Sequence, residues 1–311
     1  MPAKPPRPTL ACFGEILWDI LPRGIFLGGA PLNVAYHASR LGLQALPISA
    51  VGMDLLGDEA LRRIAGWGLD PGFVTRLRRR PTGTVRANLD RRGIASYTIA
   101  PQVAWDRIVA FPALRRREAP CAVVYGTLAL RGEANRVTFI DLMAAWPGAL
   151  RVLDLNLRAP YGQGGGVKLA LSHAQFVKLN DEELALMTRR AARTATQLEA
   201  AAREFAKTHQ LVRVCVTAGA RGAGLLWDEA WHWEPGRPVE VRDTVGAGDA
   251  FLAGFLAAHF LRRESPRAAL AGASRLGEFV AGRDGATPPY RIDAQGRPVD
   301  AAPATGGQAP R

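Results

Sequence analysis

Asp243-Thr-Val-Gly-Ala-Gly-Asp-Ala-Phe251 sets two glycines immediately ahead of a carboxylate, at the head of an apolar segment. That segment, Ala250-Phe-Leu-Ala-Gly-Phe-Leu-Ala-Ala-His-Phe260, is apolar almost all round, the pattern of a buried helix. A helix start leaves unpaired N–H groups and a partial positive charge, which together receive an anion such as phosphate. Asp249 stands beside that anion, an unfavourable place for a carboxylate unless it does chemistry. The spacing therefore points to phosphoryl transfer, with Asp249 accepting a proton while the helix end holds the phosphoryl group. The plainer alternative is a glycine-rich helix start that Asp249 merely caps.

Other polar residues interrupt apolar surroundings. Gly28-Gly-Ala-Pro-Leu-Asn33 leads into a helical stretch, and paired glycines let backbone approach a ligand while Asn33 both donates and accepts hydrogen bonds. Asp19 breaks the run Leu17 to Leu21, and a polyol would supply its carboxylate with hydroxyl donors. Asp154-Leu-Asn-Leu-Arg158 alternates polar and apolar, which puts three polar side chains on one face if a strand continues through them. Arg158 is suited to clamp a phosphate. Asn180-Asp-Glu-Glu183 by itself reads as a capping box, and this can hold together with Asn180 and Glu183 holding Mg²⁺ through water. Thr217-Ala-Gly-Ala-Arg-Gly222 is either a small loop that admits a nucleotide or a hairpin turn into Ala223 to Trp227.

The elements that must position these residues alternate. Apolar runs near 10–17, 45–51, 121–126, 151–155, 175–179 and 211–217 predict strands, several of them apolar on both faces as in a parallel sheet. Helical stretches fall at about 31–41, 55–66, 133–146, 196–208 and 247–262. The order predicts an α/β fold with a doubly wound, mostly parallel sheet sandwiched by helices, its ligands at the carboxyl ends of the strands. Residues 17–27 and 82–99 read as β-ribbon, a small lid hinged near Gly83. One domain is expected over 9–290, with 291–311 a disordered tail rich in Pro, Gly and Ala.

Composition narrows the classes. The chain has 311 residues, 48% of them hydrophobic, and no uncharged apolar run long enough to cross a membrane. Its start, Met1 to Pro8, has no apolar signal core, which predicts a cytoplasmic protein. Net charge is +12, yet the arginines are scattered and no basic stripe with interleaved aromatics appears, so nucleic acid is not expected as the partner. Cys12, Cys121 and Cys215 lack metal-ligand spacing and read as free thiols in strands. There is no G-x-x-x-x-G-K-[ST], H-E-x-x-H or C-x-x-C, and the five histidines are isolated.

Taken together, these segments resemble the ribokinase-like (PfkB-type) sugar kinases, and within them the fructokinase branch, over roughly residues 10–290. Asp243 to Phe251 resembles the family's C-terminal signature and Gly28 to Asn33 its N-terminal one. Gly14-Glu-Ile-Leu-Trp-Asp19 and Ser96 to Asp106 are similar to sequences of the fructokinase branch. The resemblance implies transfer of the γ-phosphoryl group of ATP to a sugar hydroxyl, with Asp249 as general base and the N–H groups of Gly246, Ala247 and Gly248 as anion hole. It further implies that Asp19, Gly28, Gly29 and Asn33 bind the sugar, that Arg158 contacts sugar or phosphate, and that Asn180 and Glu183 organise Mg²⁺. Thr217, Gly219 and Gly222 would meet the nucleotide, and the backbone near Asp243 and Val245, with the loop at Gly285, would bind K⁺. A homodimer through the lid is implied as well. Kinases of the same fold acting on 2-keto-3-deoxygluconate, ribose or a nucleoside stay open, as does a non-catalytic sensor of sugar or nucleotide. Leu155 stands where the family often has proline, Ser274 where many members have asparagine near the adenine, and Gly164 to Gly166 where the family is bulkier.

Overall fold

A computed structural model describes residues 7–22, 24–89, 95–109, 114, 117–294 and 296–301. Along the chain run β1 (Thr9–Phe13), β2 (Leu17–Leu21), β3 (Gly24–Gly28), α1 (Ala30–Arg40), β4 (Gln44–Gly52), α2 (Leu55–Gly66), β5 (Val74–Leu77), β6 (Gly83–Leu89) and β7 (Ala95–Ile99). There follow β8 (Ala122–Gly126), α3 (Glu133–Ala145), β9 (Leu150–Asp154), α4 (Gly165–His173), β10 (Phe176–Asn180), α5 (Asp181–Thr188), α6 (Ala195–His209) and β11 (Arg213–Thr217). The chain closes with β12 (Gly222–Trp227), β13 (Ala230–Pro235), α7 (Ala247–Phe260), α8 (Pro266–Ala281), β14 (Tyr290–Ile292) and β15 (Pro298–Asp300).

Nine strands form one sheet in the order β13-β12-β11-β10-β9-β8-β1-β4-β5. Its pairs are parallel from β5 across to β11, and β12 and β13 add antiparallel at one edge. Alternate side chains of each strand feed opposite cores. Ala11 and Phe13 of β1 pack with Phe139 of α3, Val167 of α4 and Leu198 of α6. Leu10 and Cys12 pack with Val34 of α1, Ile64 of α2, Leu252 of α7 and Leu270 of α8. Both faces are thus covered, which is why these strands read as continuous apolar runs. The crossover from β1 to β4 carries α1 on one face and that from β8 to β9 carries α3 on the other. The strand order therefore reverses between β1 and β8, and the carboxyl ends at such a reversal are where open α/β sheets receive ligands.

A second sheet of four strands, β3-β2-β6-β7, stands apart from the large one. It is the lid the ribbon-like segments predict, with β2 and β6 parallel and the other two pairs antiparallel. Gly83 serves close packing there, since a Cβ would meet the Trp105 indole nitrogen at 2.1 Å. The entry to β6 is tied down by Asp54, which accepts from the backbone N–H and the hydroxyl of Thr82.

The disordered tail expected from residue 291 is corrected in part. β14 pairs antiparallel with β15, and Asp300 takes two hydrogen bonds from Arg283 on the far side of the ribbon. Strands of three residues carry no readable periodicity, so composition alone misleads here. Residues 302–311 lie outside the described residues. The helices α4, α5 and α8 add to the predicted set; α8 starts on Ser265, whose hydroxyl accepts from the Ala268 N–H, and buries Ala269, Leu270, Ala273, Leu276 and Val280.

Candidate active site

The start of α7 is built by Gly246. It adopts φ 80°, and a Cβ there would stand 2.5 Å from the Cα of Ala286, so both conformation and packing demand glycine. No side chain caps the helix. Among the described residues the N–H groups of Gly246, Gly248 and Asp249 have no protein acceptor, whereas that of Ala247 donates to the Thr244 carbonyl at 3.3 Å. The turn at the left-handed glycine thus engages the Ala247 amide with the Thr244 carbonyl, and the Asp249 amide is open beside those of Gly246 and Gly248. This alters the trio named from the sequence.

Asp249 is the third residue of the first turn and is 8% exposed. Its Oδ2 accepts from Asn33 Nδ2 at 2.8 Å across 216 residues of sequence, which joins α7 to α1. Burial pushes its pKa up to about 6; the like charge of Asp154 adds to this, while Lys178, the Asn33 bond and Arg158 oppose it. The Asp249 carboxylate therefore titrates closer to neutrality than an ordinary aspartate, a feature the sequence did not require.

The residues that the resemblance assigns to the sugar converge. Asn33 is on the first turn of α1, whose cap Gly29 has φ 119° and leaves no room for a Cβ against the Glu15 carbonyl, 2.2 Å away. A Cβ on Gly28 would meet Asp19 Oδ2 at 2.9 Å, so the lid strands β2 and β3 bring that carboxylate against bare backbone. Burial raises Asp19 to about 6, against the pull of Arg158. Glu15, which the sequence did not single out, lies beside these residues, close enough for Asp249 and Arg158 to act on its charge. It is 4% exposed, its Oε1 accepts from the Ala30 N–H at 3.2 Å, and its Oε2 has no partner. Desolvation lifts it to about 7, with Asp249 adding to the rise and Arg158 opposing it. Asn33 Oδ1 is likewise buried without a donor. Two acceptors without partners next to a base are what a ligand rich in hydroxyls would complete.

The run from Asp154 to Arg158 behaves differently from the alternation expected. β9 ends at Asp154, and Asn156 takes φ 40°, so no single strand face carries the three polar side chains. Asp154 turns instead to Lys178 of β10, whose Nζ donates to its two oxygens at 3.0 and 3.2 Å. Arg158 makes no hydrogen bond or ion pair among the described residues, and its charge acts on Glu15, Asp19 and Asp249. Lys178 was missed because a lone lysine in Phe176 to Leu179 reads as ordinary strand composition.

Among the residues that the resemblance assigns to Mg²⁺ and nucleotide, Asn180 caps α5 in a full capping box: its Oδ1 accepts from the Glu183 N–H at 2.8 Å and Glu183 Oε2 accepts from the Asn180 N–H at 2.9 Å. Glu183 Oε1 accepts from the Leu157 N–H at 2.7 Å. Burial raises the Glu183 pKa, the Asn180 amide opposes it, and Asp154 adds to the rise. Thr217 is the register partner of Asn180 at the strand ends. The turn after it is a hairpin, with the Ala218 N–H donating to the Gly222 carbonyl; Gly219 faces open space, while Gly222, at φ 119°, is pressed against the Glu234 carbonyl. Gly222 therefore answers to packing.

Asp243 accepts from the N–H groups of Val245 and Gly285, at 3.0 and 3.1 Å, and so ties the loop before α7 to the loop after α8. The second loop is held in turn by His37 of α1. Its Nε2 meets the Ala286 carbonyl at 2.9 Å and must carry the hydrogen, so Nδ1 accepts from Tyr290 Oη at 3.0 Å. Burial holds His37 neutral, with its pKa lowered to about 4. Among the described residues no group of three or more His, Cys, Asp or Glu is arranged to hold a metal. Glu183, with both oxygens already accepting an amide, suits Mg²⁺ reached through water, and the backbone oxygens around Asp243 and Val245 are of the hard type a monovalent cation takes.

The model of the pfkB family of carbohydrate kinases matches residues 24–293. A fructokinase of Escherichia coli is 30% identical over 260 residues, spanning 78% of this chain and 81% of its own length. Among solved structures, fructokinase of Xylella fastidiosa with bound ATP superposes with a TM-score of 0.75 at 24% identity, over 90% of this chain and 94% of that one. Fructokinase of Vibrio cholerae O395, in a form binding fructose, ADP and calcium, gives a TM-score of 0.76 at 23% identity over the same shares.

Proposed function

The chain belongs to the pfkB family of carbohydrate kinases, phosphotransferases with an alcohol group as acceptor, and from that premise we propose that it transfers the γ-phosphoryl group of ATP to fructose. The single observation that carries the reading is the meeting of Asp249, bonded to Asn33, with the open amides of Gly246, Gly248 and Asp249 at one helix start. A sugar held by Asp19, Asn33, Arg158 and the bare backbone of Gly28 and Gly29 would present a hydroxyl to Asp249. The transfer is mainly positioning and charge stabilisation, which the amide cradle and Arg158 supply. Asn180 and Glu183 would reach Mg²⁺ through water; bound there, the ion would offset charge on the phosphates. Thr217 and Gly219 would border the nucleotide, Gly222 holding their turn, and K⁺ would sit by the Asp243, Val245 and Gly285 loops.

Three carboxylates, Glu15, Asp19 and Asp249, face one arginine on the sugar side, a balance that favours a neutral polyol over a sugar acid such as 2-keto-3-deoxygluconate. No helix among the described residues is long and apolar enough to cross a membrane, and use of ATP supports a cytoplasmic setting. The exposed Ile25 on lid edge strand β3 supports a homodimer formed through the lids. The test is a coupled ADP-release assay over fructose, ribose, 2-keto-3-deoxygluconate and adenosine, with and without Mg²⁺ and K⁺. Fructose should give the highest kcat/KM, and preference for any of the other three would replace the substrate while leaving the transfer chemistry in place.

A further inference from the structure

Lys178 sits near the end of β10 with its side chain 9% exposed, paired with an Asp154 side chain that is 4% exposed. Stability does not explain such a pair, because a buried ion pair is often matched or bettered by apolar residues of similar size. Geometry offers another reason. A Cβ built on Gly248 would stand 2.7 Å from Lys178 Nζ, so the ammonium lies against the backbone of the amide cradle, and glycine is what lets it approach. Two of its hydrogens go to the oxygens of Asp154, and among the described residues no protein acceptor takes the third. The negative charges acting on it are Asp154, Asp249 and Glu183. Burial pulls its pKa down and these carboxylates outweigh that, so the ammonium stays charged. The helix amides supply about half a charge and Arg158 one more, so with Asp154, Asp249 and Glu183 close by a further cation in contact with the phosphoryl group offsets charge that those two leave.

We propose that Lys178 is a catalytic residue, donating its third N–H to a non-bridging oxygen of the transferring phosphoryl group while Asp154 fixes the ammonium. This rests on the reading that the amides of Gly246, Gly248 and Asp249 receive that group. In the step itself the sugar oxygen forms a bond to phosphorus, the bond to the β-phosphate oxygen breaks, and the sugar proton passes to Asp249. Lys178 keeps its protons throughout, and its contact tightens as charge spreads over the phosphoryl oxygens.

The deciding variant is Lys178→Met with Asp154→Asn, which removes both charges together and leaves no unpaired buried ion. Affinities for ADP and for a non-hydrolysable ATP analogue are measured by titration calorimetry, and kcat by the coupled assay. A direct contact with the third phosphate predicts ADP affinity within about threefold of wild type, analogue affinity weakened relative to ADP by about tenfold or more, and kcat lower by about 100-fold. A merely structural pair moves both nucleotides equally, and a smaller change in their ratio overturns the proposal. Lys178→Gln, which keeps a donor for Asp154 but no charge, carries the same readout should the double variant not fold. Asp249→Asn is assayed alongside. Normal turnover there defeats the reading of the cradle, whereas an inactive Asp249→Asn beside a normal double variant defeats the role of Lys178 alone.

Discussion

The starts of α6 and α7 face the same deficit of hydrogen bonds and meet it in opposite ways. At α6, Thr194 Oγ1 accepts from the Gln197 N–H and Gln197 Oε1 accepts from the Thr194 N–H, so the helix end is closed by its own side chains. At α7 a left-handed glycine takes the cap position, no side chain closes the end, and Asp249 is turned to Asn33. Helices α3 and α4 also begin after glycine, but Glu133 and Ala134, and Gly164 and Gly165, are exposed, so water serves their amides. Gly246, Ala247 and Gly248 at the start of α7 are instead half-buried, beside the carboxylates of Asp249 and Asp154. What separates the structural helix end from the one proposed to act on phosphate is an open set of amides together with a buried acid that something else holds in place.

The largest effect that would sharpen this contrast is at Asp249. Asp249→Asn keeps a partner for Asn33 and should lower kcat by about 100-fold or more with the melting temperature little changed. Turnover near the wild-type rate would erase the distinction between the two helix starts. Next is Gly246→Ala, which forces a Cβ into φ 80° and against Ala286. It should lower kcat/KM by about 100-fold through displaced amides and reduce stability by about 1–3 kcal/mol, read by denaturant titration. The pH dependence comes third. Burial raises Asp249 to about 6, so the accepting carboxylate is present above that pH and lost below it. A plot of log kcat/KM should therefore fall with decreasing pH through about 6, by roughly tenfold per unit once Asp249 is protonated, and a profile flat down to pH 5 would speak against the assignment. Smallest is Thr194→Ala at α6, expected to cost about 1 kcal/mol in unfolding free energy with kcat unchanged.

The sequence made part of this legible for physical reasons. A helix apolar on every side, headed by Gly246, Gly248 and Asp249, has few uses, and strands covered on both faces announce a parallel sheet. The lid was visible in its alternation. Lys178 and Glu15 were not, since each is one polar residue in an apolar stretch and its meaning comes from Asp154, Gly248, Ala30 and Asp249, which are distant in the chain. The bond from Asn33 to Asp249 is invisible for the same reason. Asn156 misled because its left-handed backbone breaks an alternation that looks like strand on paper. The ribbon of β14 and β15 is too short for any period to show, and its ion pair to Arg283 is again a distant contact.

The central claim is that the Asp249 carboxylate and the neighbouring amides address one phosphorus atom. A crystal structure with ADP, a fluoroaluminate standing for the phosphoryl group in flight, and fructose tests it most directly. The account predicts the fluorides within hydrogen-bond reach of the Gly246, Gly248 and Asp249 amides, with a fructose hydroxyl on the Asp249 carboxylate. A fluoroaluminate bound elsewhere in the cleft, with Asp249 bonded only to Asn33, would contradict it.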